Sequence, residues 1–209
     1  MSLFPIFLKL RGRRCLVVGA GEIAESKIRS LLAAEADLTV VSPEAKPELI
    51  ALANQGAFTW HRRAFATTDL HEMFLVVAAT DSLEVNADVY REAESRDILC
   101  NAVDDPPNCD FYFPSVVKRG QLQIAISTAG ESPALAQRLR KEIDEQLPQD
   151  LGPWLDELGK VRREVLAAYP ASNFRKLLLH KLAQRQVCSS DQCPSRKLVL
   201  DAEHSIAQP

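Results

Sequence analysis

A glycine turn between a predicted strand and a predicted helix constrains the fold of this chain most. Residues 13–18 (RRCLVV) are a short apolar run with β-branched side chains, which predicts a strand. Gly19 and Gly21 follow this run directly, and residues 22–34 then carry apolar side chains at helical spacing. The order of strand, Gly19-x-Gly21-x-x-Ala24 and helix is typical of a dinucleotide-binding turn.

Each small residue of this turn has a physical role in the prediction. Gly19 permits the tight turn, Gly21 lets a pyrophosphate approach the backbone, and Ala24 allows the helix to pack closely on the sheet. The helix N-terminus supplies unpaired N–H groups and a partial positive charge for the phosphates. The turn therefore predicts nucleotide binding. The alternative is a tight strand-to-helix connection that serves packing alone.

The first half of the chain alternates predicted strands with predicted helices. Further strands are expected at residues 38–41, 58–61, 73–79 and 98–103, and further helices at residues 47–55 and 84–95. Residues 73–79 (MFLVVAA) are apolar without alternation, so this strand should be buried on both faces. The order predicts an α/β fold, with a Rossmann-type parallel sheet and helices on both of its sides.

The pattern changes after Asp104. Residues 104–115 (DDPPNCDFYFPS) are rich in turn formers, and the two adjacent prolines disfavour regular structure there. A hairpin is expected over residues 116–127, a helix over residues 133–146, and helices and loops without strands after Pro153. We therefore predict a Rossmann-type domain, a small α+β domain, a helical part and a flexible tail, at residues 1–113, 114–150, 151–185 and 186–209.

Two more loops follow predicted strands at the edge where parallel sheets bind ligands. Ala79, Thr80 and Asp81 end the fourth strand, and small residues there allow a cofactor to lie close. The alternative is that Thr80 or Asp81 caps the next helix. Asp104 and Asp105 follow the fifth strand, and a carboxylate beside a nicotinamide can act as a general acid or base. Asp105 is more simply explained as a turn residue before the prolines.

The end of the second strand is where a ribose acceptor is expected. Ser42, Pro43 and Glu44 stand there, and either the Glu44 carboxylate or the Ser42 hydroxyl could hold the ribose diol. No arginine follows for a 2′-phosphate, although Lys46 is near. The sequence therefore favours NAD over NADP.

The charge balance and the apolar runs exclude other classes of protein. Lys and Arg total 25 against 28 Asp and Glu, so the formal net charge of −3 does not predict nucleic-acid binding. The apolar runs are too short to span a bilayer. The N-terminal apolar residues precede the charges, the reverse of a secretory signal. We therefore expect a cytoplasmic protein without a membrane or nucleic-acid partner.

The five cysteines do not predict a disulfide framework, because the chain is large enough to build a core without one. Cys188 and Cys193, with His204 after them, have a spacing that zinc tolerates. A structural zinc site needs a fourth ligand, and the tail offers no obvious one. We therefore expect no bound metal, and the role of these two cysteines stays open.

Six stretches in one order carry a family resemblance. They are the opening FPIF and LRGR, GAGEIAESK, AATD, CNAVDD, FYFPS and STAGESPALA. Together they resemble the precorrin-2 dehydrogenase family over about residues 3–165. This family includes the N-terminal half of siroheme synthase and a stand-alone dehydrogenase/ferrochelatase.

The resemblance implies oxidation of precorrin-2 to sirohydrochlorin with NAD, followed in some members by insertion of ferrous iron. It also implies an intertwined homodimer whose dimerisation domain is the small α+β domain. The catalytic aspartate falls on Asp104. The implied cofactor positions are Gly21, Glu22, Ile23, Pro43 and Glu44. Whether iron insertion is retained, and whether iron or cobalt is inserted, stays open.

A carboxylate-rich tetrapyrrole requires cations and flat apolar side chains. The candidates are Lys118, Arg119, Arg138, Arg140 and Lys141, with Phe111, Tyr112 and Phe113 flanking the macrocycle. The alternatives are a solvated helix face for the cations and a dimer core for the aromatic residues. We expect Arg119, Thr128 and Ser132 to bind substrate. Thr128 stands where siroheme synthases can carry a phosphorylatable serine, and its own modification stays open.

Two other functions remain as alternatives. One is an NAD-dependent dehydrogenase of another small molecule, for which the sequence shows neither Tyr-x-x-x-Lys nor a histidine at a strand end. His61 and His71 are more simply structural or exposed. The other is a non-enzymatic NAD-sensing module, against which the second domain argues.

Overall fold

The computed structural model describes residues 3–183. Cys188, Cys193, His204 and the predicted tail lie outside the described residues. The chain divides into two compact units between Phe113 and Pro114. Within the described residues, no helix combines the length and the apolar character that crossing a membrane requires.

The first unit contains a five-stranded sheet in which every pairing is parallel. Its strands are β1 (Arg14–Val18), β2 (Asp37–Val41), β3 (Thr59–His61), β4 (Leu75–Ala78) and β5 (Leu99–Ala102). They lie in the order β3-β2-β1-β4-β5. The predicted α/β fold with a parallel sheet is confirmed, and each strand lies within two residues of its predicted bounds. The order reverses between β1 and β4, which is where such sheets bind ligands.

Helices cover both faces of this sheet. They are α1 (Glu22–Ala33), α2 (Pro47–Asn54) and α3 (Leu83–Glu94). Alternate strand residues point to opposite faces, so Val17 packs in one core with Ile28 and Leu49. Val76 packs in a second core with Val89 of α3. Every residue of β4 is buried, as its unbroken apolar run predicted.

Two short 3₁₀ turns differ from the sequence prediction. One covers Thr67–Leu70 and places the Leu70 side chain in the second core, and no periodicity in so short a segment revealed it. The other covers Pro106–Asn108, where adjacent prolines were expected to disfavour regular structure. That expectation was wrong because proline fits the first position of a helical turn, where its missing N–H has no partner to lose.

The second unit contains the predicted hairpin and three helices. Its elements are β6 (Ser115–Arg119), β7 (Leu122–Ile126), α4 (Pro133–Gln146), α5 (Leu151–Ala168) and α6 (Asn173–Ala183). Gly120, with φ +57°, turns the hairpin. A Cβ on Gly152 would lie 3.0 Å from the Arg119 carbonyl carbon, so a glycine there lets α5 begin directly against the turn. Val161 and Leu182 are fully buried between α5 and α6.

Candidate active site

A cavity of about 770 Å³ lies at the carboxyl ends of β1 and β4. This volume is within the range of about 300–1,000 Å³ that is usual for small-molecule sites. The cavity is lined by the glycine turn, the loop after β2 and the loop after β4. Of the predicted cofactor residues it includes Gly19, Gly21, Ser42, Pro43, Glu44, Ala79, Thr80 and Asp81.

A smaller cavity of about 280 Å³ shares Gly21 and the Ala79–Asp81 loop with the larger one. It is lined further by Glu22 and Ile23, and by Asp104 after β5. Three loops that are distant in sequence therefore meet at one edge of the sheet. The predicted cofactor residues and the predicted catalytic residue line two adjoining spaces.

The two glycines of the turn have different structural roles. Gly19 has φ +107°, and a Cβ there would lie 2.3 Å from the Ala79 carbonyl oxygen. Gly19 therefore lets the turn after β1 pass directly against the end of β4. A Cβ on Gly21 would meet no atom within 4 Å, so the backbone at the start of α1 is open to a ligand. An open turn at a helix N-terminus fits a pyrophosphate.

The loop after β4 is held by Asn86, a residue of α3 that sequence reasoning missed. Asn86 is 1% exposed. Its side-chain oxygen accepts from the Thr80 N–H at 3.1 Å and from the Thr80 hydroxyl at 2.8 Å, and its amide donates to the Thr80 carbonyl at 3.1 Å. The alternative considered for this loop, that Thr80 or Asp81 caps α3, was wrong. Ser82 is the cap, since its hydroxyl accepts from the Val85 N–H.

The structure of the loop after β2 distinguishes between Ser42 and Glu44, the two candidate acceptors for the ribose hydroxyls. The Ser42 side chain is buried, and its hydroxyl donates to the backbone carbonyl of Glu44. The Glu44 carboxylate is exposed in the wall of the larger cavity. The Trp60 indole donates to the Ser42 carbonyl at 3.1 Å and holds the loop in place. This geometry favours Glu44 as the acceptor for the ribose hydroxyls.

The larger cavity is also lined by residues that the sequence analysis did not single out. They are Ala64, Phe65, Val85 and Asp88. Ala64 and Phe65 lie in the connection after β3, and Val85 and Asp88 lie on α3. The sequence analysis selected candidate residues from the glycine turn and from the loops that directly follow strands. It missed these two segments because neither carries a recognisable motif.

Asp104 lies at the end of β5 in a left-handed backbone conformation with φ +60°. Aspartate adopts this conformation more readily than most residues. The side chain is exposed in the wall of the smaller cavity. Asp105 differs, because its carboxylate accepts from the Asn108 side chain at 2.6 Å and its N–H donates to the Ala102 carbonyl. That is the turn role that the sequence favoured for Asp105.

Lys27 is a second charged group near this edge, and the sequence analysis did not propose it. It lies on α1, with its ammonium 4.0 Å from the centre of the Phe113 ring. Burial lowers the pKa of Lys27, and the negative charge of Asp104 acts in the opposite direction. Phe111 and Phe113 lie 5.5 Å apart and pack against the core of the first unit.

The three predicted substrate residues lie in the second unit and are engaged within it. Arg119 donates to the Asp144 carboxylate at 2.7 Å and to the Asp144 carbonyl at 2.8 Å, with only 9% of its side chain exposed. Ser132 caps α4, and Thr128 accepts from the Ser132 N–H. These contacts give all three residues local structural roles. Their contact with a substrate stays a prediction.

Other groups of interest have simpler environments. Cys15, Cys100 and Cys109 are free thiols. Among residues 3–183, no group of three or more His, Cys, Asp or Glu side chains is placed to hold a metal ion. Of the remaining predicted cations, Arg138 pairs with Glu142 on the same helix.

This site at the switch point of a parallel sheet defines a Rossmann-type dinucleotide-binding protein. A family model described as putative NAD(P)-binding matches residues 6–115, which is more than half of the chain. A second model, described as sirohaem biosynthesis protein central, matches residues 119–146. The chain belongs to the precorrin-2 dehydrogenase family of sirohaem biosynthesis, and the resemblance of its motifs is confirmed.

Relatives and a solved structure agree with this family. The chain is 43% identical to siroheme synthase 1 of Serratia proteamaculans over 165 residues, which cover 79% of this chain and 35% of the relative. It is 43% identical to siroheme synthase 3 of Aeromonas hydrophila over 182 residues, covering 87% and 39%. The chain thus spans less than half the length of these relatives. The solved structure of SirC, precorrin-2 dehydrogenase, is 25% identical with a TM-score of 0.78, covering 97% of this chain and 100% of that one.

Proposed function

We propose that this protein oxidises precorrin-2 to sirohydrochlorin with NAD. The observation that carries the proposal is the position of Asp104, a carboxylate in the wall of a cavity that adjoins the dinucleotide site. The solved precorrin-2 dehydrogenase, which matches 97% of this chain, supports the choice of substrate. The relatives named siroheme synthase support the same pathway, although this chain spans only part of them.

The reaction removes a hydride and a proton from the tetrapyrrole. NAD supplies the acceptor for the hydride when it is bound. In this proposal the open backbone at Gly21 and the N-terminus of α1 bind the pyrophosphate. The Glu44 carboxylate accepts hydrogen bonds from the ribose hydroxyls. The Ala79–Asp81 loop, held by Asn86, forms the wall between the two cavities.

Asp104 accepts the proton that leaves the macrocycle. Its side chain is exposed to the cavity and not engaged in the turn, whereas the adjacent Asp105 is held by Asn108. Lys27 contributes a positive charge on the same side, close enough to Asp104 for the two charges to interact. An ionised carboxylate is the form that can act as a base.

Insertion of ferrous iron into sirohydrochlorin is the second step of the proposal. The metal is a substrate here and is held by the four nitrogens of the macrocycle. Those nitrogens must lose protons before they bind the ion. Asp104 supports this step because it is the base that the proposal already places beside the macrocycle.

We also propose that the protein is a cytoplasmic homodimer. A two-stranded hairpin is marginal on its own, and in β6, β7 and α4 only Val117 and Ala136 are buried hydrophobic residues. Val116 and Leu135 remain 40% and 38% exposed. A second copy would cover this apolar surface. The free thiols of Cys15, Cys100 and Cys109 agree with a reducing compartment.

The experiment that tests the proposed activity is anaerobic incubation of the protein with precorrin-2 and NAD. Formation of sirohydrochlorin and of NADH in equal amounts is expected, each followed by its own absorbance. Omission of NAD should stop both signals. NAD binding without turnover of precorrin-2 would contradict the proposal and would favour a different substrate or a sensing role.

A further inference from the structure

Lys46 lies between two carboxylates at the mouth of the dinucleotide site. Its ammonium is 2.6 Å from a carboxylate oxygen of Glu22 and 2.7 Å from one of Glu25, both in the first turn of α1. The Lys46 N–H also donates to the Ala20 carbonyl at 3.2 Å, which joins the loop after β2 to the glycine turn. The position of Lys46 is therefore set by its backbone and by its side chain.

The position of Lys46 in the fold relates its pairing with Glu22 and Glu25 to the choice between NAD and NADP. It follows Glu44 by two residues and lines the larger cavity. In dinucleotide-binding folds, a cation near the ribose acceptor accommodates the 2′-phosphate of NADP. Lys46 stands where such a cation would be needed, yet its charge is already paired.

We propose that Glu22 and Glu25 sequester Lys46 and thereby make the site prefer NAD over NADP. The inference rests on the proposed use of NAD and identifies the residues that set the preference. A lysine ammonium has three N–H donors, and two carboxylates occupy it here. A 2′-phosphate would gain little from an ammonium whose charge two carboxylates already neutralise, and those carboxylates would repel it, whereas the neutral 2′-hydroxyl of NAD is not repelled.

The charges around Lys46 support this role. Hydrogen bonds that Lys46 donates to Glu22 and, second in size, to Glu25 hold the pKa of Lys46 above its ordinary value. Hydrogen bonds from Lys46 and then Arg29 hold the pKa of Glu25 below its ordinary value. Lys46 and Glu25 thus stabilise each other's charged forms. The exposed Glu44 carboxylate adds a third negative charge at this side of the cavity, which also disfavours a phosphate.

Arg62 is another cation at this end of the sheet. Its Nε donates to the Pro43 carbonyl at 3.4 Å, and the side chain is exposed. Glu44 disfavours a 2′-phosphate and Arg62 favours one. Both are left unchanged in the test below, so their contributions to the ratio are the same in every variant.

The test compares the dissociation constants of NAD and NADP by calorimetric titration. The decisive variant is E22Q/E25Q, in which neutral amides replace both carboxylates at nearly constant shape. The ratio of the NADP constant to the NAD constant is expected to fall about tenfold, the value of one hydrogen bond to a charged group. Glu22→Gln alone, at a side chain that is 85% exposed, should lower the ratio by less.

The triple variant E22Q/E25Q/K46M separates the role of Lys46 from the general loss of negative charge. It keeps the length of the Lys46 stem and removes the ammonium, so the ratio should return toward the original value. The matched control is E35Q/E72Q, which removes two carboxylates that pair with Arg11 and Arg14 elsewhere on the same unit. Its ratio should equal that of the unchanged protein.

Three outcomes would overturn the inference. An unchanged ratio in E22Q/E25Q would mean that the carboxylates do not control the preference. A ratio that stays low in the triple variant would mean that only the total charge matters. If the unchanged protein bound no NAD, the proposed function and this inference would fail together, whereas NAD binding with an unchanged ratio would overturn the inference alone.

Discussion

The backbone of Gly19 lies so close to Ala79 that a Cβ on Gly19 would approach the Ala79 carbonyl oxygen to 2.3 Å. The Gly19 N–H donates to the Val41 carbonyl, and the Ala79 N–H donates to the Val18 carbonyl. The ends of β1, β2 and β4 are thereby held together at the floor of the cavity. The first glycine of the turn thus serves the packing of strand ends as well as the turn itself.

Gly19→Ala is therefore expected to destabilise the protein by about 2–5 kcal/mol, from the left-handed backbone and the contact with Ala79 together. Gly12→Ala is the matched control, because Gly12 also has a positive φ and its Cβ would meet no atom within 4 Å. It should cost about 1–2 kcal/mol. Urea unfolding curves of both variants measure the difference, and equal losses would show that the contact with Ala79 is unimportant.

Gly21→Asp should abolish NAD binding while the fold remains intact. Gly21 has φ −85° and open space at its Cβ, so a side chain causes no strain there. A carboxylate at this position would repel the pyrophosphate. Gly21→Ala adds a methyl group without charge and should weaken binding less. Calorimetric titration with NAD, together with circular dichroism, checks both variants, and unchanged NAD affinity of Gly21→Asp would refute the assignment of the turn.

Asn86→Ala should lower the free energy of unfolding by about 1–3 kcal/mol, because the half-buried N–H and carbonyl of Thr80 lose their hydrogen bonds to the Asn86 side chain. It should also weaken NAD binding, since the Thr80 loop forms part of the cavity wall. Asn54→Ala, at an exposed position near the end of α2, is the control and should change neither quantity. A loss of stability with normal NAD affinity would limit Asn86 to a structural role.

Asp104→Ala should reduce turnover of precorrin-2 by about 10²–10⁴-fold, the usual value of general base catalysis, while NAD still binds. Asp104→Asn is the sharper variant. Asparagine tolerates the left-handed backbone at this position, so its effect reports the loss of the carboxylate and not of the conformation. Asp105→Ala should be mild in turnover, although it removes a hydrogen bond to Asn108.

Formation of sirohydrochlorin at saturating NAD decides between the two aspartates. Near-normal turnover in Asp104→Asn would remove Asp104 from the proposed mechanism. A larger loss in Asp105→Ala than in Asp104→Ala would transfer the role to its neighbour. If iron insertion occurs, it should fall with the dehydrogenase activity in the Asp104 variants.

The proposed homodimer has a direct test in solution. Light scattering at micromolar protein should give a mass of about twice the 23.2 kDa of one chain. Val116→Asp and Leu135→Asp place charges on the apolar surface of the second unit and should shift the mass toward that of one chain. A single-chain mass for the unchanged protein would contradict the proposal.

The sequence by itself determined the local elements and the family. Each predicted feature is a short continuous stretch of sequence: the glycine turn, the apolar run that forms β4, and the aspartates that form a turn. Backbone conformation and hydrophobic periodicity are properties of such short stretches, so they could be predicted without a tertiary structure. The cofactor residues could be predicted too, because they directly follow predicted strands and parallel strands place their carboxyl ends at one edge of the sheet.

Only the tertiary structure decided which side chains meet there. Lys46 reaches Glu22 across 24 positions in the chain, and Arg119 reaches Asp144 across 25. Such contacts depend on how neighbouring elements pack, and no local pattern encodes them. Tertiary structure also decided the cap of α3. The buried Asn86 engages Thr80, and Ser82, which the sequence analysis had not considered, caps the helix. The sequence therefore determines where polar groups lie along each strand and helix, whereas the packing of these elements determines which groups become partners.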